Sequence, residues 1–237
     1  MRGASAPPPE TEGELLARAQ SLAGRTLAEL AAELGLAVPP DLRRAKGWVG
    51  QLVERALGAC AASRPGPDFA ALGVELKTLP LDRHGRPCET TFVCNVPMRA
   101  VSELSWGDSP LRHKLARVLW VPVEGERQLP VGARHVGAPL LWSPSAEEEA
   151  VLASDWEELA GIIGRGGIES LTARVGRAVQ VRPKAAHGRV RRRSLDAEGT
   201  SIDALPRGFY LRVSFTEAIV RRSYAAPAQR RGDRAPR

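Results

Sequence analysis

The sequence predicts a mixed α/β fold, and three observations lead to that prediction. Threonine or serine is followed three positions later by glutamate at residues 11, 26 and 145, which is typical of helix beginnings. Apolar and polar residues alternate through residues 69–80, as on a strand with one buried face. Residues 118–123 form an apolar segment typical of a second strand. The 237 residues are 43% hydrophobic and 26% charged, which excludes wholesale disorder, coiled coil and collagen.

The first quarter of the chain is predicted to be helical. Residues 1–10 contain three consecutive prolines and are expected to be a disordered leader. Helices are then expected over residues 11–23, from Thr26 to Gly35, and over residues 45–57. The second of these could begin a DNA-binding helix-turn-helix, but prolines stand at 39 and 40, where the turn and recognition helix should follow. Ordinary helix packing is the better interpretation.

Both strands and helices are predicted in the rest of the chain. The strand at 69–80 is followed by a turn at Gly85, and residues 89–96 are expected to be its antiparallel partner. Ser109 and Pro110 begin a short helix, through residue 117, before the strand at 118–123. The next predicted element is a helix over 145–163. It is followed by strands at 178–182 and 208–213, with a basic loop at 187–203 between them, and by a short helix after Ser214. Residues 223–237 are expected to be a basic, disordered tail.

Charge and cysteine content narrow the class of protein. The net charge is +7, and residues 182–237 alone hold 14 basic and five acidic side chains. A surface that faces a polyanion is therefore expected there, although a solvated basic tail is an alternative.

No apolar stretch is long enough to span a membrane and no signal-peptide core is present, which predicts a soluble, cytoplasmic protein. The three cysteines lack C-x-x-C spacing, which argues against a disulfide framework or a zinc ribbon and predicts reduced, mostly buried thiols.

Lysine is rare, since it accounts for four of the 34 basic residues: Lys46, Lys77, Lys114 and Lys184. In a chain that otherwise uses arginine, a lysine can mark a place that requires a compact ammonium, although chance explains the pattern equally well from composition alone.

The clearest chemical pattern is Pro67-Asp68-x6-Glu75-Leu76-Lys77. Residues two apart on a strand are separated by about 6.5–7 Å, so Glu75 and Lys77 can flank one phosphate. Asp68 and Glu75 are predicted to hold Mg²⁺, and Lys77 to position or deprotonate the attacking water. The pattern therefore predicts metal-assisted hydrolysis of a phosphodiester. The short motif is weak alone, because chance places an acid two residues before a lysine in roughly half of such chains, and a surface ion pair is the alternative.

Two further residues could join this site. Glu54 lies on the third predicted helix, 14 residues before Asp68, and Lys114 lies on the helix that Ser109 begins. From periodicity alone, each is better explained as a solvated helix charge. The four scattered histidines and the absence of phosphate-loop and serine-hydrolase motifs disfavour a zinc site, ATP hydrolysis and serine catalysis.

The signature at 67–77 resembles that of the restriction-endonuclease-like nucleases, and longer blocks resemble the MutH family of DNA mismatch-repair endonucleases. These blocks occur in order and cover about residues 11–222: residues 46–50, 68–78, 89–94, 112–120, 122–127, 139–144, 155–159 and 205–211. The resemblance implies a mixed sheet flanked by helices, with two subdomain arms around a DNA cleft. It also implies a Mg²⁺-dependent endonuclease that nicks the unmethylated strand at hemimethylated GATC sites, activated by MutL after MutS finds a mismatch, and monomeric off DNA.

The resemblance also assigns roles to individual residues. The catalytic set that it implies is Glu54, Asp68, Glu75, Lys77 and Lys114, with Asp68 and Glu75 as the metal ligands. Lys46 matches a contact to the DNA backbone. The positions that read GATC or sense adenine methylation match Phe92, Arg182, Pro183, Lys184 and Tyr210.

Two segments depart from the family pattern, namely a more basic loop at 187–194 and a Pro- and Arg-rich end beyond residue 224. Both leave open the details of base reading and any partner contact of the C-terminus, and GATC need not be the target in an organism without the matching methylase. Two other functions stay open. One is a stand-alone type II restriction endonuclease with a related site, and the other is a catalytically silent DNA-binding module.

Overall fold

The computed structural model describes residues 6–59, 66–98, 101, 103–184, 192–195, 201–204 and 206–225, and this part of the chain contains six α-helices and eight strands. The helices are α1 (Glu12–Leu22), α2 (Leu27–Glu33), α3 (Trp48–Leu57), α4 (Pro110–Leu115), α5 (Ala146–Gly164) and α6 (Val213–Ala225). The strands are β1 (Glu75–Leu81), β2 (Thr91–Asn95), β3 (Val118–Glu124), β4 (Leu140–Trp142), β5 (Val179–Pro183), β6 (Arg192–Leu195), β7 (Ser201–Ala204) and β8 (Arg207–Leu211). The predicted mixed α/β fold is confirmed.

The first sheet has the order β1-β3-β4, with β1 parallel and β4 antiparallel to β3. The central strand β3 is buried on both faces, because Val118 and Trp120 contact one hydrophobic core while Leu119 and Val121 contact another. This alternation explains its continuous apolar sequence. The strand β1 lies at the edge of this sheet.

A separate core covers each face of the first sheet. Helices α1, α2 and α3 pack on one face through a core that includes Leu15, Leu30 and Leu52. Helix α5 and the second sheet cover the other face through a core that includes Trp156 and Phe209. The second sheet is antiparallel, with the order β2-β8-β5.

Strand β5 is anchored to α5 by a buried carboxylate. Asp155 is 1% exposed and accepts hydrogen bonds from the backbone N–H groups of Arg177, Ala178 and Val179, at 2.6–2.8 Å. Because a charged acceptor satisfies three donors at the start of the strand, this contact fixes the second sheet against the core.

One predicted strand pairing is wrong. The chain does turn at Gly85, where Asp82 N–H donates to the Arg86 carbonyl and Leu81 bridges Pro87. It leaves that ladder after Cys88, however, and β2 pairs with β8 in the second sheet. The partner of β1 is β3, in parallel register from Glu75 opposite Val118. Parallel neighbours need a long crossover, which β2 and α4 provide here.

The predicted helix beginnings are confirmed with small shifts. Complete capping boxes begin α2 at Thr26 and α5 at Ser145. At α1, Thr11 accepts from Glu14 N–H, but the Glu14 carboxylate accepts from Glu10 N–H rather than from the cap itself. Helix α3 begins three residues later than predicted, because Gly47 precedes it in the left-handed conformation with φ 84°.

The strand boundaries differ more. Strand β1 begins at Glu75 rather than at residue 69, because residues 69–74 form a turn that the Phe69–Val74 bridge closes. The basic segment predicted as a loop at 187–203 contains the antiparallel pair β6 and β7, and its other residues lie outside the described part of the chain.

The predicted disordered ends are only partly described. In the leader, Pro9 is buried and the Pro7 carbonyl accepts from Arg18, while residues 1–5 lie outside the described ranges. Helix α6 continues through Ala225, past the expected boundary at 222, and residues 226–237 lie outside the described ranges.

The thiols only partly match the expectation of burial. Cys88 and Cys94 are both free, and Cys88 is exposed whereas Cys94 is half-buried. Cys60 lies outside the described residues. None of the described helices has the length and apolar character that crossing a membrane requires.

Candidate active site

Asp68 lies at the free edge of β1, just before the turn that leads into that strand. Glu75 N–H donates to the Arg117 carbonyl, on the side of the neighbouring strand β3. Successive N–H groups alternate in direction, so Leu76 N–H faces the open edge, where Asp68 Oδ2 accepts it at 2.8 Å. Among the described residues, Asp68 Oδ1 has no hydrogen-bond partner. The backbone contact thus holds the carboxylate in place and leaves one oxygen available.

Glu75 is a buried carboxylate between two ammonium groups. The residue is 2% exposed, and its Oε1 pairs with Lys77 Nζ while its Oε2 pairs with Lys114 Nζ at 2.7 Å. The lysine side chains are 15% and 16% exposed. Lys114 also donates to the Gly66 carbonyl at 2.6 Å, which ties α4 to the segment before Asp68. The pattern at 67–77 is therefore a real cluster in space, which Lys114 joins from another element.

Glu54 belongs to the same cluster. It is half-buried on α3, and burial together with the nearby Asp68 carboxylate raises its pKa, whereas Lys77 and Lys114 oppose that shift. Gly50 lies one helical turn earlier, and a Cβ there would be in ordinary van der Waals contact with Glu54 Oε1, at 3.9 Å. The structure thus brings together all five predicted catalytic residues.

The donor set of this cluster suits a hard divalent cation. Carboxylate oxygens from Asp68 and Glu75 are the ligand type that Mg²⁺ prefers. Burial is the main cause of the raised pKa of Glu54, and the nearby Asp68 and Glu75 carboxylates add to it. Within the described ranges, no group of three or more His, Cys, Asp and Glu side chains is arranged to hold a metal. Two carboxylates completed by water and phosphate oxygens fit that observation, because Mg²⁺ commonly keeps several waters.

A second group of predicted residues gathers on one face of the second sheet, which we call the aromatic–basic face: Phe92, Arg182, Lys184 and Tyr210. The Phe92 and Tyr210 rings meet edge to face, with centroids 5.3 Å apart. Arg182 lies over the Tyr210 ring at 5.8 Å and Lys184 Nζ over the Phe92 ring at 3.8 Å. Both distances are within the range of cation–π attraction.

The other two predicted DNA contacts lie at the surface. Pro183 is exposed at the end of β5, opposite Arg207 of β8. Lys46 is exposed in the loop that leads into α3, the helix that carries Glu54.

Cys94 of β2 connects the catalytic cluster with the aromatic–basic face. Burial raises the pKa of its thiol to about 12, and the positive charges of Lys77, Lys114 and Lys184 act against that rise. Cys94 is therefore close to lysines of both groups. The candidate catalytic site and the candidate base-reading face are therefore neighbours.

Sequence reasoning missed two residues of this region. Thr90 Oγ1 accepts a hydrogen bond from Arg182 and Asn95 Oδ1 accepts one from Lys184. Thr90 precedes β2 and Asn95 ends it, in a segment that had been identified only for its resemblance and its strand pattern. No motif marks them, because their partners are about 90 residues away in the sequence.

An edge strand that presents an acid and a lysine two residues apart, with a second acid held against it and helices on both faces of the sheet, defines a restriction-endonuclease-like nuclease. The family model described as "DNA mismatch repair enzyme MutH" matches residues 57–155.

Curated relatives extend the match over most of the chain. MutH of Serratia proteamaculans is 55% identical over 218 residues, which cover 92% of this chain and 96% of the relative. MutH of Vibrio cholerae O1 (strain M66-2) is 56% identical over 219 residues (92% and 99%), and that of Escherichia coli K12 is 55% identical over 217 residues (92% and 95%). The chain belongs to the MutH family of DNA mismatch-repair endonucleases. This membership implies a nuclease that depends on a divalent metal.

Proposed function

We propose that this protein is a Mg²⁺-dependent endonuclease of mismatch repair that nicks the unmethylated strand at hemimethylated GATC sites. The observation that carries the proposal is the placement of Glu75 between two lysines, beside Asp68 and next to the aromatic–basic face. One group of side chains can thus act on a phosphodiester while its neighbour contacts bases.

Asp68 and Glu75 would hold the Mg²⁺. When bound, this ion would polarise the scissile phosphate and neutralise the charge that develops on it. Asp68 Oδ1 is available for the ion, while Glu75 would exchange part of its lysine contact for it. The chemical type of these two carboxylate ligands supports the assignment of Mg²⁺, rather than a complete set of metal ligands already in place.

The two lysines supply compact positive charge. Lys77 extends from the edge strand and would orient the attacking water and stabilise the transition-state phosphate. Lys114 donates hydrogen bonds to Glu75 and to the Gly66 carbonyl, and so holds β1 and the segment before Asp68 in fixed positions relative to each other. Burial raises the pKa of Glu54, which favours its protonated form, and Glu54 would accept the proton released when water attacks.

The aromatic–basic face would read the target. An arginine suits bidentate contact with guanine, and Arg182 is exposed at the end of β5. Tyr210 would lie where the N6-methyl group of a modified adenine intrudes, and Phe92, Pro183 and Lys184 would complete the contact. Lys46 would contact the DNA backbone from the loop before α3.

The proposed partners follow from membership of a repair family. They are double-stranded DNA with hemimethylated GATC, a MutL-type activator and, upstream of it, MutS. The protein would act in the cytoplasm, where bacterial DNA lies, and would be monomeric off DNA.

A nicking assay tests this proposal. Supercoiled plasmid with hemimethylated or fully methylated GATC sites is incubated with Mg²⁺, with and without MutL. We expect slow nicking alone, strong stimulation by MutL on hemimethylated plasmid, and little reaction on fully methylated plasmid. Vigorous double-strand cleavage without MutL would indicate a stand-alone restriction endonuclease instead. Binding without any nicking would indicate a silent DNA-binding module.

A further inference from the structure

Two exposed cations of the aromatic–basic face are each held by a neutral side chain at the ends of β2. Arg182 Nη1 donates to Thr90 Oγ1 at 2.7 Å, and Lys184 Nζ donates to Asn95 Oδ1 at 3.0 Å. Arg182 is part of β5 and Lys184 directly follows it, whereas Thr90 directly precedes β2 and Asn95 is its last residue, at the opposite edge of the same sheet. Each contact therefore crosses the intervening strand β8.

Gly208 lies next to both contacts. In the register of the sheet, Gly208 of β8 lies opposite Arg182 on one side and opposite Asn95 on the other, so it is beside the cation of one contact and the acceptor of the other. Side chains of directly opposed residues share one face, so a side chain at 208 would enter the space between the two contacts. A Cβ at this position would lie 2.8 Å from Phe92 Cε2 and 3.2 Å from Tyr210 Cε2. The Phe92 ring occupies that space, and Lys184 lies above it.

The acceptors are uncharged, unlike those of several other arginines in the structure. Arg117 pairs with Glu12 and Arg112 pairs with Glu149. The Arg182 contact to the Thr90 hydroxyl fixes the guanidinium without neutralising it, and no other N–H group of the guanidinium donates to a residue in the described ranges. A carboxylate at position 90 or 95 would instead compete with phosphate and base acceptors for the same cation.

Anchoring before DNA binds also reduces the entropic cost of recognition. A free arginine or lysine side chain samples many rotamers and loses that freedom when it contacts a base. Side chains that Thr90 and Asn95 already restrain lose less of it. This gain applies to a cognate base, which needs one geometry, more than to a phosphate, which tolerates several.

We propose that Thr90 and Asn95 are positioning residues for base recognition, which orient Arg182 and Lys184 toward the DNA before it binds. The inference rests on the proposed function, since it assigns base reading to those two cations. It adds that specificity depends on two neutral acceptors that need not contact DNA themselves.

The test uses the full-length variants Thr90→Val and Asn95→Ala, with Thr90→Ser to restore the hydroxyl. Thr172→Val is the matched control, since its hydroxyl accepts only a weak contact from Arg174 N–H, on the loop before β5. The measurements are kcat/KM for nicking at hemimethylated GATC and at sites with one base pair changed, the salt dependence of DNA binding, and Tm.

We expect discrimination between these sites to fall about tenfold in Thr90→Val and in Asn95→Ala, which is the scale of one lost hydrogen bond to a charged group. Thr90→Ser and Thr172→Val should stay within about twofold of wild type. The slope of affinity against salt should not change, because every cation remains. The Tm values should also match that of wild type.

Unchanged discrimination in Thr90→Val and Asn95→Ala, with a large loss in Arg182→Ala, would overturn the inference while leaving the proposed function intact. A uniform loss on all sites with a lower Tm would show a structural role, and would overturn it as well. If Arg182→Ala and Lys184→Ala themselves leave discrimination unchanged, base reading lies elsewhere and that part of the proposed function fails.

Discussion

At the residue scale, the structure adds a constraint that the motif at 67–77 does not show. Glu75 is buried and is paired with both lysines, whereas Asp68 is half-buried and held by one backbone N–H. The two carboxylates should therefore respond differently to mutation even if both hold the metal.

Replacing either carboxylate with alanine tests the metal site. We expect Asp68→Ala and Glu75→Ala to reduce nicking at least about 100-fold while DNA affinity stays within a few-fold, because each removes a ligand from a hard-cation site. Glu75→Ala should also lower the unfolding free energy by about 3 kcal/mol, since it leaves two poorly solvated ammonium groups without their counter-ion. Nicking assays and urea titration measure these effects. Substantial nicking by Asp68→Ala would contradict its assignment as a metal ligand.

Lys77→Arg tests the need for a compact ammonium. The side chain is only 15% exposed beside Glu75, and a planar guanidinium is wider and harder to deprotonate. We expect nicking to fall about 100-fold although the charge is kept. The exposed Lys46 provides the control, and Lys46→Arg should be milder in the same assay. A fully active Lys77→Arg protein would show that this lysine acts only as a positive charge.

Glu54→Gln tests the electrostatics of the cluster through pH. Because burial and Asp68 raise the Glu54 pKa, the folded protein binds more protons than the unfolded chain between the ordinary value of 4.5 and the raised one. Its contribution to stability therefore falls as pH rises through that window. We expect Glu54→Gln to have a higher Tm than wild type above the window, and no advantage below pH 4.5.

A control of opposite sign is available for that experiment. The pKa of Glu29 is lowered by its capping contacts with Thr26, so Glu29→Gln should lose stability at neutral pH and match wild type in acid. Equal pH profiles for Glu54→Gln and wild type would contradict the proposed crowding of carboxylates.

The sequence predicted these residues unequally well. Asp68, Glu75 and Lys77 follow from a short motif on one strand. Glu54 and Lys114 looked like solvated helix charges from periodicity. The packing of α3 against β1 brings Glu54 to the cluster, and Lys114 reaches it from α4 through its contact with Glu75. Thr90 and Asn95 had no signal, since ordinary polar residues beside a strand are common.

At the element scale, helix beginnings were predictable and strand partners were not. Capping boxes are local, and those of α2 and α5 form as the sequence indicates. The pairing of β1 with β3 depends on which apolar faces meet across about 40 residues, and the local turn at Gly85 favoured the wrong partner, β2. Alternation reveals which face of a strand is buried but not which strand lies next to it.

Gly208→Ala tests the close packing of the second sheet. Its Cβ would come within 2.8 Å of Phe92, so the ring must move, and Lys184 with it. We expect a loss of about 1–3 kcal/mol in unfolding free energy and reduced discrimination between GATC and altered sites. Gly13→Ala, on α1, is the control, because its Cβ has room and alanine favours helix. Wild-type discrimination by Gly208→Ala would show that the Phe92 position does not matter for reading.

At the scale of the whole molecule, the proposed function gives the two sheets different roles. The edge of the first sheet carries the candidate catalytic cluster, the second carries the aromatic–basic face, and Cys94 is close to lysines of both. The two cores on opposite faces of the first sheet give each part its own packing. Two arms around a DNA cleft stay a prediction of the family resemblance, as do the roles of the basic loop and the C-terminal tail.

Nicking of one strand at hemimethylated GATC is the activity that we propose for this protein. The most direct measurement uses a duplex with a single hemimethylated GATC, labelled separately on each strand and incubated with protein, Mg²⁺ and MutL. We expect a nick in the unmethylated strand only, none in a duplex methylated on both strands, and none with Asp68→Ala. Equal cutting of both strands, or cutting of a duplex without GATC, would contradict it.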